Sequence, residues 1–238
     1  MNQRSWRTSP SAVASRFYKQ STKMNNPHLA LPAVEYGVPV EDATLAVILV
    51  HGRGQSPDWM YENVVRRLDW ASVAWRAPVA ADASWYPERF IAPAELNEPR
   101  LSYALACVEA ASEKLRRQGI PYDSQILMGF SQGACLCSEF VWRAKRKYRA
   151  LVSFTGGLIG PPGMTRETRA FCYDGMPALF STWDEDPYVP VDEVCKSAEL
   201  FKKAGAAVIL HADSGTEHGI RDAEIRYAHR LIDAGRSD

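Results

Sequence analysis

From Pro32 to the C-terminus, the chain alternates short apolar runs with segments of helical periodicity. The runs at residues 43–51 and 125–130 are too uniformly apolar for strands that face water on one side. Such alternation is typical of a mostly parallel β-sheet covered by helices on both faces. No low-complexity linker interrupts the pattern, so the sequence predicts a single α/β domain over residues 31–238.

The individual elements follow from the same patterns. Strands are expected over residues 43–51, 71–77, 125–130, 150–154, 178–182 and 206–211. Helices are expected over residues 57–68, 100–117, 132–146, 191–204 and 221–234, and several begin beside Pro or Asp, which favour a first turn. The aromatic, proline-broken stretch 79–99 fits neither pattern. We interpret it as an ordered loop that covers an apolar site, rather than one that only completes the core.

Composition excludes several classes of protein. Lys plus Arg and Asp plus Glu both number 28, but residues 1–26 hold five basic residues and no acid, which leaves 23 basic against 28 acidic residues elsewhere. Without a basic face, nucleic acid binding is not expected. Five cysteines without a CxxC pair indicate a reducing compartment, and no zinc-ligand set is visible. The longest apolar run, at residues 45–50, is far shorter than the ~20 residues that span a membrane.

Residues 1–30 are predicted to form a disordered N-terminal extension outside the fold. Residues 1–26 are rich in Arg and Ser and lack acids, which is the composition of an organellar transit peptide, and they contain no apolar stretch of the secretory kind. Two interpretations stay open: a targeting segment, or a start upstream of a natural initiator at Met24. Because the cysteines indicate a reducing compartment, the sequence predicts a cytoplasmic location. Organellar import is the alternative if the extension is a targeting segment.

The segment Gly129-Phe130-Ser131-Gln132-Gly133 gives the first indication of chemistry. It is a GxSxG motif between a predicted strand and a predicted helix. Its glycines permit a sharp bend, which lifts the Ser131 hydroxyl out of the sheet at a helix N-terminus, where partial positive charge favours a developing anion. The arrangement predicts Ser131 as a nucleophile, and the alternative is a serine that only caps the helix.

A serine nucleophile needs a base and an acid that orients the base, and with this motif the chain order is Ser, Asp or Glu, then His. His218 lies in the glycine-flanked segment SGTEHGI and is the predicted base. Asp184, Glu185 and Asp186 compete as the acid, and Asp186 is favoured because Pro187 helps to fix its turn. The remaining histidines are interpreted as structural: His28, His51, His211 and His229.

A tetrahedral intermediate also needs two backbone N–H donors. One is expected from Gln132, directly after the nucleophile. The other is expected from Arg53 in the segment HGRGQ at residues 51–55, whose glycines allow the backbone to approach an oxyanion closely. This segment is not a phosphate-binding loop, because it contains neither GxxxxGK nor GxGxxG.

Five motifs resemble, in order and spacing, those of the phospholipase/carboxylesterase family of α/β hydrolases: VILVHGRGQSP, GFSQGA, SFTGGLIG, DPYVP and GTEHGI. That family includes acyl-protein thioesterases and is related to dienelactone hydrolases. The resemblance runs from about residue 43 to the C-terminus. It implies an α/β-hydrolase fold without a large cap domain, and no cofactor. It also implies roles for seven residues: a triad of Ser131, Asp186 and His218, oxyanion donors Arg53 and Gln132, and acyl-pocket residues Trp85 and Leu158.

The sequence therefore predicts a serine carboxylesterase that acts on short- to medium-chain carboxylic esters through an acyl-enzyme. Its expected partner is a small-molecule ester, with no metal, no nucleic acid and no stable membrane insertion. Thioesters, lysophospholipids and lactones stay open as substrates, and a homodimer stays open as the assembly. The alternative from another class is a non-catalytic ligand-binding protein of the same fold.

Overall fold

The structure, a computed structural model, describes residues 26–167 and 172–233. In these residues seven strands form one sheet: β1 (Val34–Gly37), β2 (Leu45–Val50), β3 (Val73–Ala77), β4 (Gln125–Phe130), β5 (Ala150–Phe154), β6 (Pro177–Trp183) and β7 (Ala207–Asp213). Their order across the sheet is β1-β3-β2-β4-β5-β6-β7. The β1–β3 pair is antiparallel, and the other neighbouring strands pair in parallel. The sheet is therefore mostly parallel, as predicted.

Five helices flank the sheet within the same ranges: α1 (residues 57–68), α2 (Arg100–Arg117), α3 (Gln132–Ala144), α4 (Val191–Lys203) and α5 (Asp222–Asp233). A π-helical turn at Tyr61–Val65 separates the α-helical pieces Pro57–Met60 and Arg66–Leu68 of α1. Short 3-10 turns cover Val40–Asp42, Ala81–Ala83, Ala94–Asn97 and Tyr122–Ser124. The predicted bounds agree with the observed ones to within two residues.

Two apolar layers, one on each face of the sheet, form the core. Ile48 belongs to the layer that packs against α2, α3 and α4, whereas its neighbour Leu49 belongs to the layer under α1 and α5. All six residues of β2 are buried, and so are all six of β4. Burial on both faces explains why these strands are uniformly apolar in sequence.

The parallel strands end at one edge of the sheet, and the residues that follow them meet there. Ser131 follows β4, and the segment 51–55 follows β2. Asp186 lies after β6, and His218 lies after β7. In open α/β sheets this carboxyl edge is where ligands bind.

Residues 26–30 pack against the domain, although the sequence predicted them to be part of the extension. Asn26 is 4% exposed and His28 is fully buried. The Asn26 side chain donates a hydrogen bond to the Tyr103 carbonyl in α2, at 2.8 Å. The predicted boundary at residue 31 is therefore too late, because two polar side chains attach this turn and no apolar periodicity signals them. Residues 1–25 of the predicted extension lie outside the described residues.

Within the described ranges, no helix has the length and apolar character needed to cross a membrane.

Candidate active site

Ser131 occupies a strained turn between β4 and α3. Its backbone angles, φ 53° and ψ −119°, are ones that side-chain-bearing residues rarely adopt. The flanking glycines make the turn possible, since a Cβ on Gly129 would lie 2.4 Å from the Gly133 carbonyl oxygen. A Cβ on Gly133 would lie 2.2 Å from the Val50 carbonyl oxygen. The turn places the half-buried Ser131 side chain at the N-terminus of α3.

A hydrogen-bonded chain joins Ser131, His218 and Asp186. Nε2 of His218 lies 2.8 Å from Ser131 Oγ, and Nδ1 of His218 lies 2.7 Å from Asp186 Oδ2. This geometry suits a neutral imidazole whose Nδ1–H donates to the carboxylate and whose Nε2 accepts the serine proton. The structure thus brings together the three residues that the sequence selected from separate loops.

The Asp186 carboxylate is held in its ionised form. Its side chain is fully buried, and its Oδ1 accepts hydrogen bonds from the backbone N–H groups of Tyr188 and Val189, both at 2.8 Å. Burial by itself raises the pKa of Asp186, but the hydrogen bonds from His218 and the two amides outweigh burial, and the pKa lies below its ordinary value. Asp186 therefore carries a negative charge beside the imidazole at neutral pH.

Asp184, one of the competing carboxylates, holds the loop of His218 rather than the imidazole. Its Oδ1 accepts a hydrogen bond from Gly215 N at 2.8 Å. Glu185 contributes through its backbone, since its N–H donates to the Gly215 carbonyl at 3.1 Å. The hydrogen bonds from Gly215 and then Ser214 lower the pKa of Asp184. Asp184 is thus a support for the loop that carries the imidazole.

The other four histidines lie apart from this chain of hydrogen bonds. His28 and His51 are buried and both pack against Trp85. His211 lies 3.2 Å from Asp213, and the ring of His229 packs against Trp70. Over residues 26–167 and 172–233, no group of three or more His, Cys, Asp or Glu side chains is arranged to hold a metal ion.

The backbone N–H groups of Gln132 and Arg53 are the candidates for binding an oxyanion. Gln132 is the first residue of α3, where backbone N–H groups have no partner within the helix. No backbone hydrogen bond among the described residues uses the N–H group of Gln132 or Arg53. Both residues line the same cavity as Ser131 and His218. Arg53 and Gln132 are therefore the candidate donors of an oxyanion hole.

The side chains of Arg53 and Gln132 hold the loop in front of the site through hydrogen bonds, a role that was not predicted from the sequence. The Arg53 guanidinium donates to the carbonyl oxygens of residues 86–88, at 2.6 to 2.9 Å. Gln132 Oε1 accepts from Trp85 N at 2.9 Å, and Gln132 Nε2 donates to the Tyr86 carbonyl at 2.7 Å. The acceptors are mostly backbone carbonyls, which every residue has, so no sequence motif indicates these hydrogen bonds.

A cavity of about 480 Å³ opens beside Ser131. Residues 86–90 form one wall, as the interpretation of stretch 79–99 predicted, and Tyr188 and Val189 face them. Cys135, one turn into α3, also lines the cavity, and most of the lining is apolar. Arg89 joins the two walls, since its guanidinium donates to the Tyr188 carbonyl at 3.0 Å.

Trp85 and Leu158, which the resemblance implied as acyl-pocket residues, do not line this cavity. Trp85 is fully buried behind it, and its indole N–H donates to the His51 carbonyl at 2.8 Å. Leu158 is buried in the core, its N–H donates to Ser197 Oγ, and it borders a different depression beside α4. The neighbouring Tyr86 contributes to the wall instead. An irregular loop has no periodicity, so the sequence could not show which aromatic residue faces the cavity.

Known proteins resemble this chain over most of its length. The family profile described as Phospholipase/Carboxylesterase matches residues 33–234. Acyl-protein thioesterase 1 of Debaryomyces hansenii is 24% identical over 231 residues, which cover 85% of this chain and 96% of that protein. A solved phospholipase/carboxylesterase of Dyadobacter fermentans is 36% identical with a TM-score of 0.76, over 84% of this chain and 95% of that one.

More distant structures share the fold. SOBER1 of Arabidopsis thaliana is 18% identical with a TM-score of 0.64, and the match covers 80% of this chain and 98% of that one. Because the family profile spans most of the sequence, the chain belongs to the phospholipase/carboxylesterase family of α/β hydrolases.

Proposed function

We propose that this chain is a serine carboxylesterase that hydrolyses short- to medium-chain carboxylic esters through an acyl-enzyme. The observation that carries the proposal is the continuous hydrogen-bonded chain from Asp186 through His218 to Ser131. It opens into a mainly apolar cavity beside two available backbone donors. A nucleophile, its base, the group that orients the base and an oxyanion site are the parts that acyl transfer requires.

In the first half of the reaction, Ser131 Oγ attacks the acyl carbonyl carbon while its proton passes to His218 Nε2. The ionised Asp186 stabilises the resulting imidazolium and keeps its Nδ1–H directed at the carboxylate. The N–H groups of Arg53 and Gln132 bind the negative oxygen of the tetrahedral intermediate. The imidazolium then gives its proton to the leaving alkoxide, and the acyl group stays on Ser131.

In the second half, a water molecule replaces the alcohol. His218 Nε2 takes a proton from the water as its oxygen attacks the acyl carbonyl, and the same two N–H groups bind the new oxyanion. The acid is released when Ser131 Oγ leaves and recovers the proton from His218. The cycle returns the enzyme to its starting state.

The cavity supports small esters as the substrate class. Its volume lies at the lower end of the roughly 300–1,000 Å³ typical of small-molecule sites. Tyr86, Phe90 and Val189 give it apolar walls, which suit an acyl chain of modest length. Thioesters pass through the same intermediates, so the family relationship with an acyl-protein thioesterase makes them the first alternative to test.

We also propose a cytoplasmic location. The five cysteines all lie within the described residues, and none forms a disulfide. Proteins that keep this many thiols unpaired are typical of reducing compartments.

The test is hydrolysis of p-nitrophenyl esters from acetate to palmitate, with a matched thioester series and a lactone, by the wild-type protein and Ser131→Ala. A fluorophosphonate probe, followed by mass spectrometry, locates the nucleophile. We expect the highest kcat/KM at short to medium chains, and neither turnover nor adduct in Ser131→Ala. The chain-length and leaving-group preferences then select among ester, thioester and lactone hydrolysis.

Cys135→Ala is the matched control. Cys135 is the other potential nucleophile on the cavity wall, but burial raises the pKa of its thiol to about 12, so the thiol stays protonated and unreactive at neutral pH. This variant should still form the probe adduct on Ser131. A folded wild-type protein that shows neither turnover nor adduct would favour the non-catalytic ligand-binding alternative.

A further inference from the structure

His28 contacts the loop that forms the cavity wall, from a turn that precedes the residues matched by the family profile, 33–234. It is fully buried. Its Nδ1 accepts a hydrogen bond from Ala81 N at 3.0 Å, and its Nε2 lies 3.1 Å from the Trp85 carbonyl oxygen. Since one nitrogen must accept and the other must donate, the ring is neutral with its proton on Nε2. Both partners belong to the stretch that forms the cavity wall.

Asn26 fixes the turn that presents His28. Its Oδ1 accepts hydrogen bonds from the backbone N–H groups of His28 and Leu29, at 3.0 and 3.4 Å. Its Nδ2 donates to the Tyr103 carbonyl in α2 at 2.8 Å. The imidazole is therefore held by the body of the domain and not only by the loop that it contacts.

Trp85 links His28 to both residues of the proposed oxyanion hole. Its carbonyl is bound by His28, while its N–H donates to Gln132 Oε1 at 2.9 Å. Its indole packs against the rings of His28 and His51, with centroids 5.2 and 5.1 Å away, and donates to the His51 carbonyl. His51 stands two residues before Arg53. A shift of Trp85 would therefore disturb both the Gln132 side chain and the backbone that leads to Arg53.

We propose that His28 is a positioning residue for the reaction. By holding the Trp85 carbonyl and the Ala81 N–H, it keeps Gln132 and the backbone of residues 51–53 in the arrangement that binds the oxyanion. The inference rests on the proposed function. Its consequence is that a segment outside the five family motifs contributes to the rate of the chemical step.

The test compares His28→Leu with His28→Gln. Leucine removes both hydrogen bonds, whereas glutamine places an amide nitrogen at about the depth of the imidazole Nε2 and can donate to the Trp85 carbonyl. We expect kcat of His28→Leu to fall about ten- to hundredfold, since a misplacement of about 1 Å in an active site costs on the order of a hundredfold. KM should change less than kcat, and His28→Gln should recover much of the loss.

Ser112→Ala controls for a general loss of stability. Ser112 is buried and donates to Gln125 at the start of β4, the end of that strand opposite to Ser131. This variant should lower the midpoint of thermal unfolding without lowering kcat at temperatures where it is folded. Equal values of kcat in His28→Leu and Ser112→Ala would overturn the proposal.

A second variant and a second readout keep the inference testable when His28→Leu fails to fold or the proposed function is wrong. Asn26→Ala loosens the turn but keeps the imidazole in the chain, so kcat should fall by less than in His28→Leu.

Amide hydrogen exchange of residues 79–90 needs no substrate, and it should be faster in the His28 and Asn26 variants but not in Ser112→Ala. Unchanged exchange in the folded variants would overturn the inference. A wild-type protein without esterase activity would overturn the proposed function alone.

Discussion

Two carboxylates of one loop, Asp184 and Asp186, have different partners and therefore different expected effects on activity. In Asp186→Asn the amide cannot accept the Nδ1–H as a carboxylate does and favours the wrong tautomer of His218, so kcat should fall by several orders of magnitude. Asp184→Asn keeps Oδ1 as the acceptor for Gly215 N, so most activity should stay. Steady-state kinetics on p-nitrophenyl butyrate measure both effects. The reverse order of losses would show that the wrong carboxylate was assigned to the imidazole.

Tyr86 offers a second prediction at the residue scale, this time for stability. Its buried hydroxyl has no nitrogen or oxygen partner among the described residues, and its polar neighbour is the Cys135 thiol, a weak hydrogen-bonding group. A buried hydroxyl without a good partner costs about 1–3 kcal/mol. Tyr86→Phe should therefore leave the free energy of unfolding unchanged or raise it, whereas Tyr86→Ala should lower it by about 3–5 kcal/mol.

Urea denaturation at neutral pH measures the free energy of unfolding of Tyr86→Phe and Tyr86→Ala. A loss of more than about 1 kcal/mol in Tyr86→Phe would mean that the hydroxyl makes a stabilising hydrogen bond, to an ordered water for example.

The strained turn at Ser131 depends on the close packing of α3 against the end of β2. A Cβ on Gly133 would lie 2.2 Å from the Val50 carbonyl oxygen and 2.5 Å from that of His51. Both are backbone atoms of the central sheet and cannot move cheaply. Gly133→Ala should therefore destabilise the protein by more than about 2 kcal/mol and abolish activity through displacement of Ser131.

Gly219→Ala is the matched control for that prediction. Gly219 lies next to His218, but no atom lies within 4 Å of the position that a Cβ would occupy there. The free energy of unfolding, measured by urea denaturation, should change by less than about 0.5 kcal/mol. A similar cost at both glycines would contradict the packing argument for Gly133.

Some strands could be predicted from the sequence better than others, because they differ in how fully they are buried. β2 and β4 are buried on both faces and were predicted from uniform apolar runs, whereas the edge strand β1 alternates half-buried and exposed residues and left no such run. Ser131, Asp186 and His218 follow strand ends, and parallel topology brings strand ends together. The meeting of these three side chains was therefore predictable from strand positions and local motifs.

Loop interiors were not predictable in the same way. Trp85 was expected on the cavity wall but lies behind it, because the direction of each loop side chain depends on hydrogen bonds to distant residues. His28 was interpreted as structural, but the extension that contains it was expected outside the fold, since one buried imidazole with two backbone partners produces no pattern in the chain. These two residues form the contact from which the positioning role of the N-terminal turn is inferred.

For the molecule as a whole, the buried histidines predict how stability depends on pH. Burial, and then the charge of Arg100, lower the pKa of His28 to about 4, and burial lowers that of His51 as well. In the unfolded chain both titrate near the ordinary value of about 6.5. Between about pH 6.5 and 4 the unfolded state therefore binds protons that the folded state does not, and the free energy of unfolding falls as the pH is lowered.

For His28 alone this loss reaches about 3 kcal/mol by pH 4, since each pH unit between the two pKa values contributes about 1.4 kcal/mol. The lowered pKa values of carboxylates such as Asp186 and Asp222 reduce stability only at more acidic pH, because the unfolded carboxylates themselves titrate near 4. Urea denaturation from pH 7.5 to 4.5 should show the loss in the wild-type protein and a smaller one in His28→Gln, whose amide does not titrate. Equal slopes in the two proteins would mean that His28 is protonated in the folded state, which its acceptance of a hydrogen bond from Ala81 does not allow.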